Sequence, residues 1–118
     1  MRLEIHKYHG KNFAKLFSDN VILKTQSEIS EMISNADFLG AQILIIKREH
    51  LSNDFYNLNT GLADAFWQEF LNSKIKMIIV GNLENYPNNR FTDFINECHN
   101  TGRLFFVESM HDAKQKMK

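Results

Sequence analysis

Cysteine is nearly absent from this chain of 118 residues, and its one example, Cys98, excludes a disulfide within the chain. A lone cysteine is typical of proteins from reducing compartments, so we expect a cytoplasmic protein. Long apolar runs are absent as well. Residues 1–10 carry charges at short intervals, unlike a signal peptide, and no stretch approaches the ~18 apolar residues of a membrane span. We therefore expect no membrane partner.

An excess of charge of either sign is also missing. The 14 basic and 14 acidic residues give a formal net charge of zero. Proteins that bind nucleic acids without sequence preference use lysine and arginine to neutralise phosphates, so a neutral chain predicts no nucleic-acid partner. The basic cluster Lys114, Lys116 and Lys118 suits the carboxyl end of a helix, where the helix dipole favours positive charge.

Residue clusters that assemble metal or nucleotide sites are not found in the sequence. The histidines His6, His9, His50, His99 and His111 stand on different predicted elements, without the close spacing of a preassembled metal site. No glycine lies in a G-x-G-x-x-G or G-x-x-x-x-G-K arrangement, which would let the backbone approach a phosphate. We therefore expect no metal, no cofactor and no catalytic residue.

Cys98 and His99 are neighbours of the residue types that form a catalytic thiol and its general base. Adjacent residues on a helix point about 100° apart, which disfavours a side-chain dyad. Cys98 instead continues the apolar stripe of Phe91, Phe94 and Ile95. We expect Cys98 to be buried and slow to react.

Short apolar runs at residues 43–46, 77–80 and 104–107 predict strands buried on both faces. Apolar residues recur at helical spacing between these runs, and the capping box Thr25-Gln26-Ser27-Glu28 marks a helix start. A polar loop with the only proline, Pro87, follows Gly81. The predicted strands lie near residues 2–8, 12–23, 42–47, 75–80 and 103–107, and the predicted helices near residues 26–38, 60–73, 89–100 and 109–117.

This order of elements predicts a single α/β domain over residues 1–118. Its mixed sheet has about five strands, with an antiparallel pair first and then parallel strands joined by right-handed crossovers. About four helices complete the fold. The organising stretch is residues 51–82, where an irregular polar loop ends at Thr60 and Gly61, and an amphipathic helix then leads into a buried strand. Thr60 should lie at or next to the N-cap of that helix.

Several features from residue 51 onward are typical of one family. They are the phenylalanine-rich loop, the Thr60-Gly61-Leu62-Ala63 helix start, the Val80-Gly81 strand exit and the Phe105-Phe106-Val107 strand. In these features the chain resembles the uncharacterised bacterial family called domain of unknown function 4180. This resemblance implies a fold but carries no known activity.

The element order is also similar to that of the STAS domain of anti-sigma-factor antagonists and sulfate-transporter tails. Those domains have an Asp-Ser-Ser-Gly-Leu signature at a helix start, and a partner kinase phosphorylates the serine before the glycine. The equivalent stretch here is Leu58-Asn59-Thr60-Gly61-Leu62, with leucine in place of the aspartate. The resemblance implies a STAS-like fold and makes Thr60 a regulatory candidate.

Two hypotheses for function follow. The first is a non-enzymatic, STAS-like binding or regulatory module that acts through residues 51–62 on an unidentified protein partner, as a monomer or a homodimer. Its interaction surface would be formed by Asn53, Asp54, Phe55, Tyr56, Asn57, Asn59 and Gly61. We expect one of the two aromatic rings to be exposed as an interaction handle, and the alternative is that both rings lie in the core. The alternative is a small hydrolase or transferase that uses the polar cluster around His50, Asp54 and Thr60.

Overall fold

Five strands and five α-helices make up the part of the chain that the computed structural model describes, residues 2–18, 23–81 and 89–117. The strands are β1 (Arg2–Tyr8), β2 (Lys11–Phe17), β3 (Ile43–Lys47), β4 (Lys76–Val80) and β5 (Leu104–Val107). The helices are α1 (Gln26–Phe38), α2 (Asn53–Tyr56), α3 (Leu62–Leu71), α4 (Asn89–Thr101) and α5 (Met110–Met117). Short 3₁₀ turns span Arg48–His50 and Leu58–Thr60.

The strands form one sheet in the order β1-β2-β3-β4-β5. β1 and β2 are antiparallel, and β2 to β5 are parallel to one another. This is the mixed α/β sheet that the sequence predicted. Consecutive parallel strands are neighbours, so crossovers of one hand place their helices on the same face of the sheet. The carboxyl ends of the parallel strands therefore share one edge with the loops that follow them.

The helices α1, α3 and α4 pack on one face of the sheet and form the main core. The strands contribute Ala14, Leu16, Leu44, Ile46, Met77, Ile79, Leu104 and Phe106 to this core. The opposite face carries Phe13, Ile43, Ile45, Ile78 and Val107, which pack with Ala113 and Met117 of α5. Neighbouring residues of each strand alternate between the two faces, and because both faces are covered, the central strands read as continuous apolar runs.

The capping box predicted at Thr25 begins α1. The Thr25 hydroxyl accepts a hydrogen bond from the Glu28 N–H at 3.3 Å, and the Glu28 carboxylate accepts one from the Lys24 N–H at 3.2 Å. Gly40, with φ of +84°, adopts the left-handed conformation just beyond the end of the helix. The Ala41 N–H then bonds back to the Ala36 carbonyl at 3.0 Å. Local sequence signals therefore set both ends of α1.

The end of the second strand differs from the prediction. The second strand, expected over residues 12–23, ends at Phe17, and Leu23 lies in an isolated bridge beside Leu51. Leu23 is held there by the loop after β3, since its N–H bonds to the His50 carbonyl and its carbonyl accepts from Ser52 N–H. The turn and strand piece predicted within residues 19–22, and the loop through Pro87 predicted after Gly81, lie outside the described residues.

The stretch before α3, expected to be irregular, contains α2 and a 3₁₀ turn. Its main-chain bonds join residues three apart, from Phe55 N–H to the Ser52 carbonyl at 3.0 Å and from Thr60 N–H to the Asn57 carbonyl at 3.0 Å. The polar sequence hid these helical turns, since asparagine, serine and aspartate are also the usual residues of open loops. The other four helices are those that the sequence predicted.

Gly81 lets the end of β4 approach the start of the loop after β3. Its N–H bonds to the Val107 carbonyl at 2.9 Å, and a Cβ added to it would lie 2.5 Å from the Arg48 Cβ. We predict that Gly81→Ala lowers the free energy of unfolding, measured by urea denaturation, by about 1–3 kcal/mol through overpacking. Arg48→Gly removes the opposing Cβ, so the double variant should lose less stability than the sum of the single variants. Strict additivity would contradict this close approach.

Candidate functional site

The loop after β3 lies at the carboxyl edge of the parallel strands. It runs from the 3₁₀ turn Arg48–His50 through α2 and a second 3₁₀ turn to the start of α3. All the site residues predicted from the sequence belong to this loop. The structure separates them into residues that build the loop and residues that the loop presents to solvent.

Phe55 and Tyr56 both point inward, which makes the prediction of one exposed ring wrong. Phe55 is fully buried and Tyr56 is only 9% exposed. The ring of Phe55 packs edge-on against Phe66 of α3 at 5.1 Å and against Phe91 of α4 at 5.9 Å between centroids. Neither ring can serve as an interaction handle. Together they anchor α2 to the helices on either side.

The polar end of Tyr56 explains why this residue can be buried. Its hydroxyl donates a hydrogen bond to the Arg48 carbonyl at 2.7 Å. The Arg48 guanidinium lies over the Tyr56 ring, 5.1 Å from its centroid, in the geometry of a cation–π contact. Burial of a tyrosine costs little free energy when its hydroxyl has such a hydrogen-bond partner.

His50 is the one buried polar residue found among the described positions, and it is 2% exposed. Its Nδ1 accepts a hydrogen bond from the Lys47 N–H at 3.1 Å, and its Nε2 lies 3.0 Å from the Ser18 carbonyl oxygen. These partners require the tautomer that carries its proton on Nε2. His50 thus joins the end of β3 to the end of β2. A general base needs a ring nitrogen within reach of substrate, and both nitrogens of His50 are bonded to the main chain.

Thr60 lies next to the N-cap of α3, as predicted, and its side chain is exposed. Gly61, with φ of +77°, occupies the cap position itself. The Thr60 hydroxyl shares its one proton between two carbonyl oxygens. Its oxygen lies 2.6 Å from the Asp54 carbonyl oxygen and 2.9 Å from the Asn57 carbonyl oxygen. The same oxygen accepts from the Leu62 N–H at 3.3 Å. One hydroxyl therefore joins α2, the 3₁₀ turn and the first residue of α3.

Six residues of this loop are exposed around Thr60 and form what we call the polar loop surface. They are Asn53, Asp54, Asn57, Asn59, Thr60 and Gly61. The Asn57 side chain accepts from the Asn59 N–H at 3.1 Å, which holds the 3₁₀ turn in place.

Arg90 is a further residue at this surface. It lies in the first turn of α4, and its Nη1 is 3.4 Å from Oδ1 of Asn59. The sequence did not predict Arg90 as a site residue, because the two side chains are 31 residues apart and no motif connects them. Only the packing of α4 beside the loop brings them together.

Cys98 lies in the main core, as predicted, with 1% of its surface exposed. Burial raises the pKa of the Cys98 thiol to about 12, and the negative charge of Glu97 contributes to the rise. His99 does not pair with it. Instead, His99 Nε2 accepts a hydrogen bond from the Phe106 N–H at 2.9 Å, and burial together with the charge of Lys116 lowers the pKa of His99. A neutral His99 therefore holds the end of α4 against β5.

Metal-binding clusters and membrane-spanning helices are both absent from the described residues, 2–18, 23–81 and 89–117. Within these ranges no three residues of the types His, Cys, Asp and Glu come together in a group that could hold a metal ion. No helix in the same ranges has both the length and the apolar character needed to span a membrane.

A family model described as "Domain of unknown function (DUF4180)" matches residues 8–117 of the chain. The chain belongs to this family. The DUF4180 match extends from the end of β1 through α5, so it includes the whole polar loop surface. It confirms the resemblance to this family that the sequence showed. No curated protein and no solved structure is significantly similar to the chain.

Cys98 offers a direct test of the core around α4. We predict that a thiol reagent labels Cys98 very slowly in the native state, because a thiol with a pKa of about 12 has almost no thiolate at neutral pH and no access to solvent. Labelling in denaturant should be fast and stoichiometric, which provides the control. Rapid native labelling would mean that α4 opens readily or packs differently.

Proposed function

We propose that this DUF4180 protein is a non-enzymatic binding and regulatory module that engages a protein partner through the polar loop surface. One observation carries this proposal: the exposed Thr60 hydroxyl connects three main-chain groups of the loop. A change at this single oxygen of an exposed residue would alter the shape of the whole surface. The resemblance to STAS domains supports the same position, because Thr60 stands where those domains are phosphorylated.

The construction of the loop supports binding by a preformed surface. Phe55 and Tyr56 anchor it from inside, and His50 fixes its first turn. A surface held rigid before binding loses less conformational entropy when a partner docks. The exposed amides of Asn53 and Asn59 offer hydrogen-bond donors and acceptors of the kind found at the polar parts of protein interfaces.

Phosphorylation of Thr60 would change the bonds that the hydroxyl makes now. A phosphate ester has no proton to donate to the carbonyls of Asp54 and Asn57, and its negative charge would lie close to both oxygens. Arg90, in contact with the neighbouring Asn59, brings a positive charge that can pair with a phosphate. The modified loop would therefore exchange internal bonds for a charged contact with α4.

The lone buried cysteine and the balanced charge are consistent with action in the cytoplasm. The alternative, a hydrolase or transferase built on His50, Asp54 and Thr60, finds less support in this geometry. His50 is buried and bonded to backbone through both nitrogens, whereas Asp54 and Thr60 face solvent.

Variants at Thr60 test the proposal. Thr60→Ala should lower the free energy of unfolding by about 1 kcal/mol, because the hydroxyl bonds are lost, and Thr60→Ser should keep most of that stability. Thr60→Glu should retain the circular dichroism spectrum of the parent while abolishing or creating capture of a specific partner from the host lysate. Intact-mass measurement of the native protein should show a fraction with one added phosphate.

The matched control is Asn100→Ala. Asn100 lies near the carboxyl end of α4, away from the end that carries Arg90, so this variant should capture the same proteins as the parent chain. The proposal fails if Thr60→Ala and Thr60→Glu both capture every partner as the parent does and the native protein carries no phosphate.

A further inference from the structure

β1 lies at the edge of the sheet, and its outer side presents main-chain groups that no strand in the described ranges pairs. It is seven residues long and regular, from Arg2 to Tyr8. An open edge of this length is a template for pairing with another strand. Soluble proteins blunt such an edge with short strands, bulges, proline or charged side chains. β1 carries the charges of Arg2, Glu4 and Lys7, but its ladder with β2 runs unbroken over all seven residues.

One face of β1 lies on the side of the sheet that α1, α3 and α4 cover, and it is apolar where it meets the end of α1. Ile5 is 38% exposed and Phe38 is 90% exposed. Leu3, Asn35, Phe38 and Leu39 line one shallow depression of about 220 Å³. An exposed phenylalanine and leucine beside a strand whose outer side pairs with no strand of the described ranges are typical of a surface that another chain covers.

The other face of β1 carries Arg2, Glu4 and His6 in alternation. Glu4 lies 2.8 Å from Arg2, so one pair of opposite charges meets within the strand, and it lies 3.4 Å from the His6 ring. All three side chains are substantially exposed. Side chains in this pattern discriminate between registers of a partner strand.

We propose that β1 pairs antiparallel with β1 of a second copy of this chain, about a twofold axis at Ile5. In this register Ile5 faces Ile5 of the second copy on the apolar side. On the charged side each Glu4 faces a His6, and each Arg2 faces the ring of a Tyr8. A carboxylate opposite an imidazole that donates a hydrogen bond, and a guanidinium opposite an aromatic ring, stabilise a strand pair. The two sheets become one continuous sheet of ten strands.

Neighbouring registers lack this complementarity. An axis at Glu4 would place the two Glu4 carboxylates opposite each other, with Arg2 facing His6. An axis at His6 would face the two histidines and would place Lys7 opposite Ile5. Registers that oppose odd-numbered and even-numbered residues would bring the apolar face of one copy beside the charged face of the other. The axis at Ile5 is therefore the register that β1 favours.

The same register also covers the apolar depression. Leu3 faces Lys7 of the second copy, whose aliphatic stem can lie along Leu3 and Phe38 while its ammonium group stays in solvent. The polar loop surface lies at the carboxyl edge of the parallel strands and remains open in both copies. Dimer formation and the proposed partner binding therefore use separate surfaces.

Sedimentation velocity of the full chain over a range of concentrations tests the proposal. The parent should sediment as a dimer, and Ile5→Lys, which places two ammonium groups at the axis, should sediment as a monomer with an unchanged circular dichroism spectrum. Leu71→Lys is the matched control, since Leu71 is similarly exposed, at 40%, but lies on α3. It should leave the dimer intact.

Variants of His6, an exposed residue of β1 whose ring stacks on Phe13, test the register. His6→Glu faces Glu4 of the second copy and should raise the dimer dissociation constant about tenfold or more, whereas His6→Lys should leave it unchanged or lower it. An axis at Glu4 would place His6 opposite Arg2, so His6→Glu would lower the dimer dissociation constant and His6→Lys would raise it. An axis at His6 would make both variants raise it. The proposal is overturned if the parent is a monomer or if the dimer survives Ile5→Lys. It is also overturned if the two His6 variants have the effects expected for an axis at Glu4 or at His6.

Discussion

The packing of the Phe55 ring between α3 and α4 is the contact on which the candidate site depends. Phe55 meets Phe66 and Phe91 edge-on, and Phe91 in turn packs on Phe106 of β5. Loss of a buried phenylalanine ring costs about 3–5 kcal/mol in a well-packed core, more than a short loop can recover by itself. The loop after β3 is thus part of the hydrophobic core on its inner side, although its sequence is mostly polar.

That inner packing explains how the loop divides its residues. The aromatic side chains and His50 turn inward and satisfy their polar atoms with main-chain groups, while the asparagines and Thr60 remain outside. A four-residue helix such as α2 would not persist alone in water, since the first turn of a helix is costly to form. Tertiary contacts hold it, and they also hold the shape of the polar surface. Rigidity and exposure in one segment are what a binding surface requires.

The sequence predicted the elements whose signals are local. Thr25 and Glu28 stand three residues apart and cap α1, and the apolar runs need only their own residues to indicate a buried strand. The inward position of Tyr56 could not be predicted, because it depends on an acceptor eight residues away, the Arg48 carbonyl. The contact of Arg90 with Asn59 spans 31 residues and depends on how α4 packs. Such contacts follow from the tertiary fold, which a periodic pattern does not specify.

The buried Phe55 ring orders the loop that carries the polar loop surface, and amide hydrogen exchange measures that order directly. The amides of Ser52, Phe55 and Thr60 donate to main-chain carbonyls and should exchange nearly as slowly as the Ala65 amide of α3. Phe55→Ala should accelerate the loop amides far more than that of Ala65. As a control, Phe105→Ala removes a ring from the opposite face and should leave their protection relative to Ala65 unchanged. Exchange of the parent's loop amides at the rate of an unstructured peptide would contradict the account.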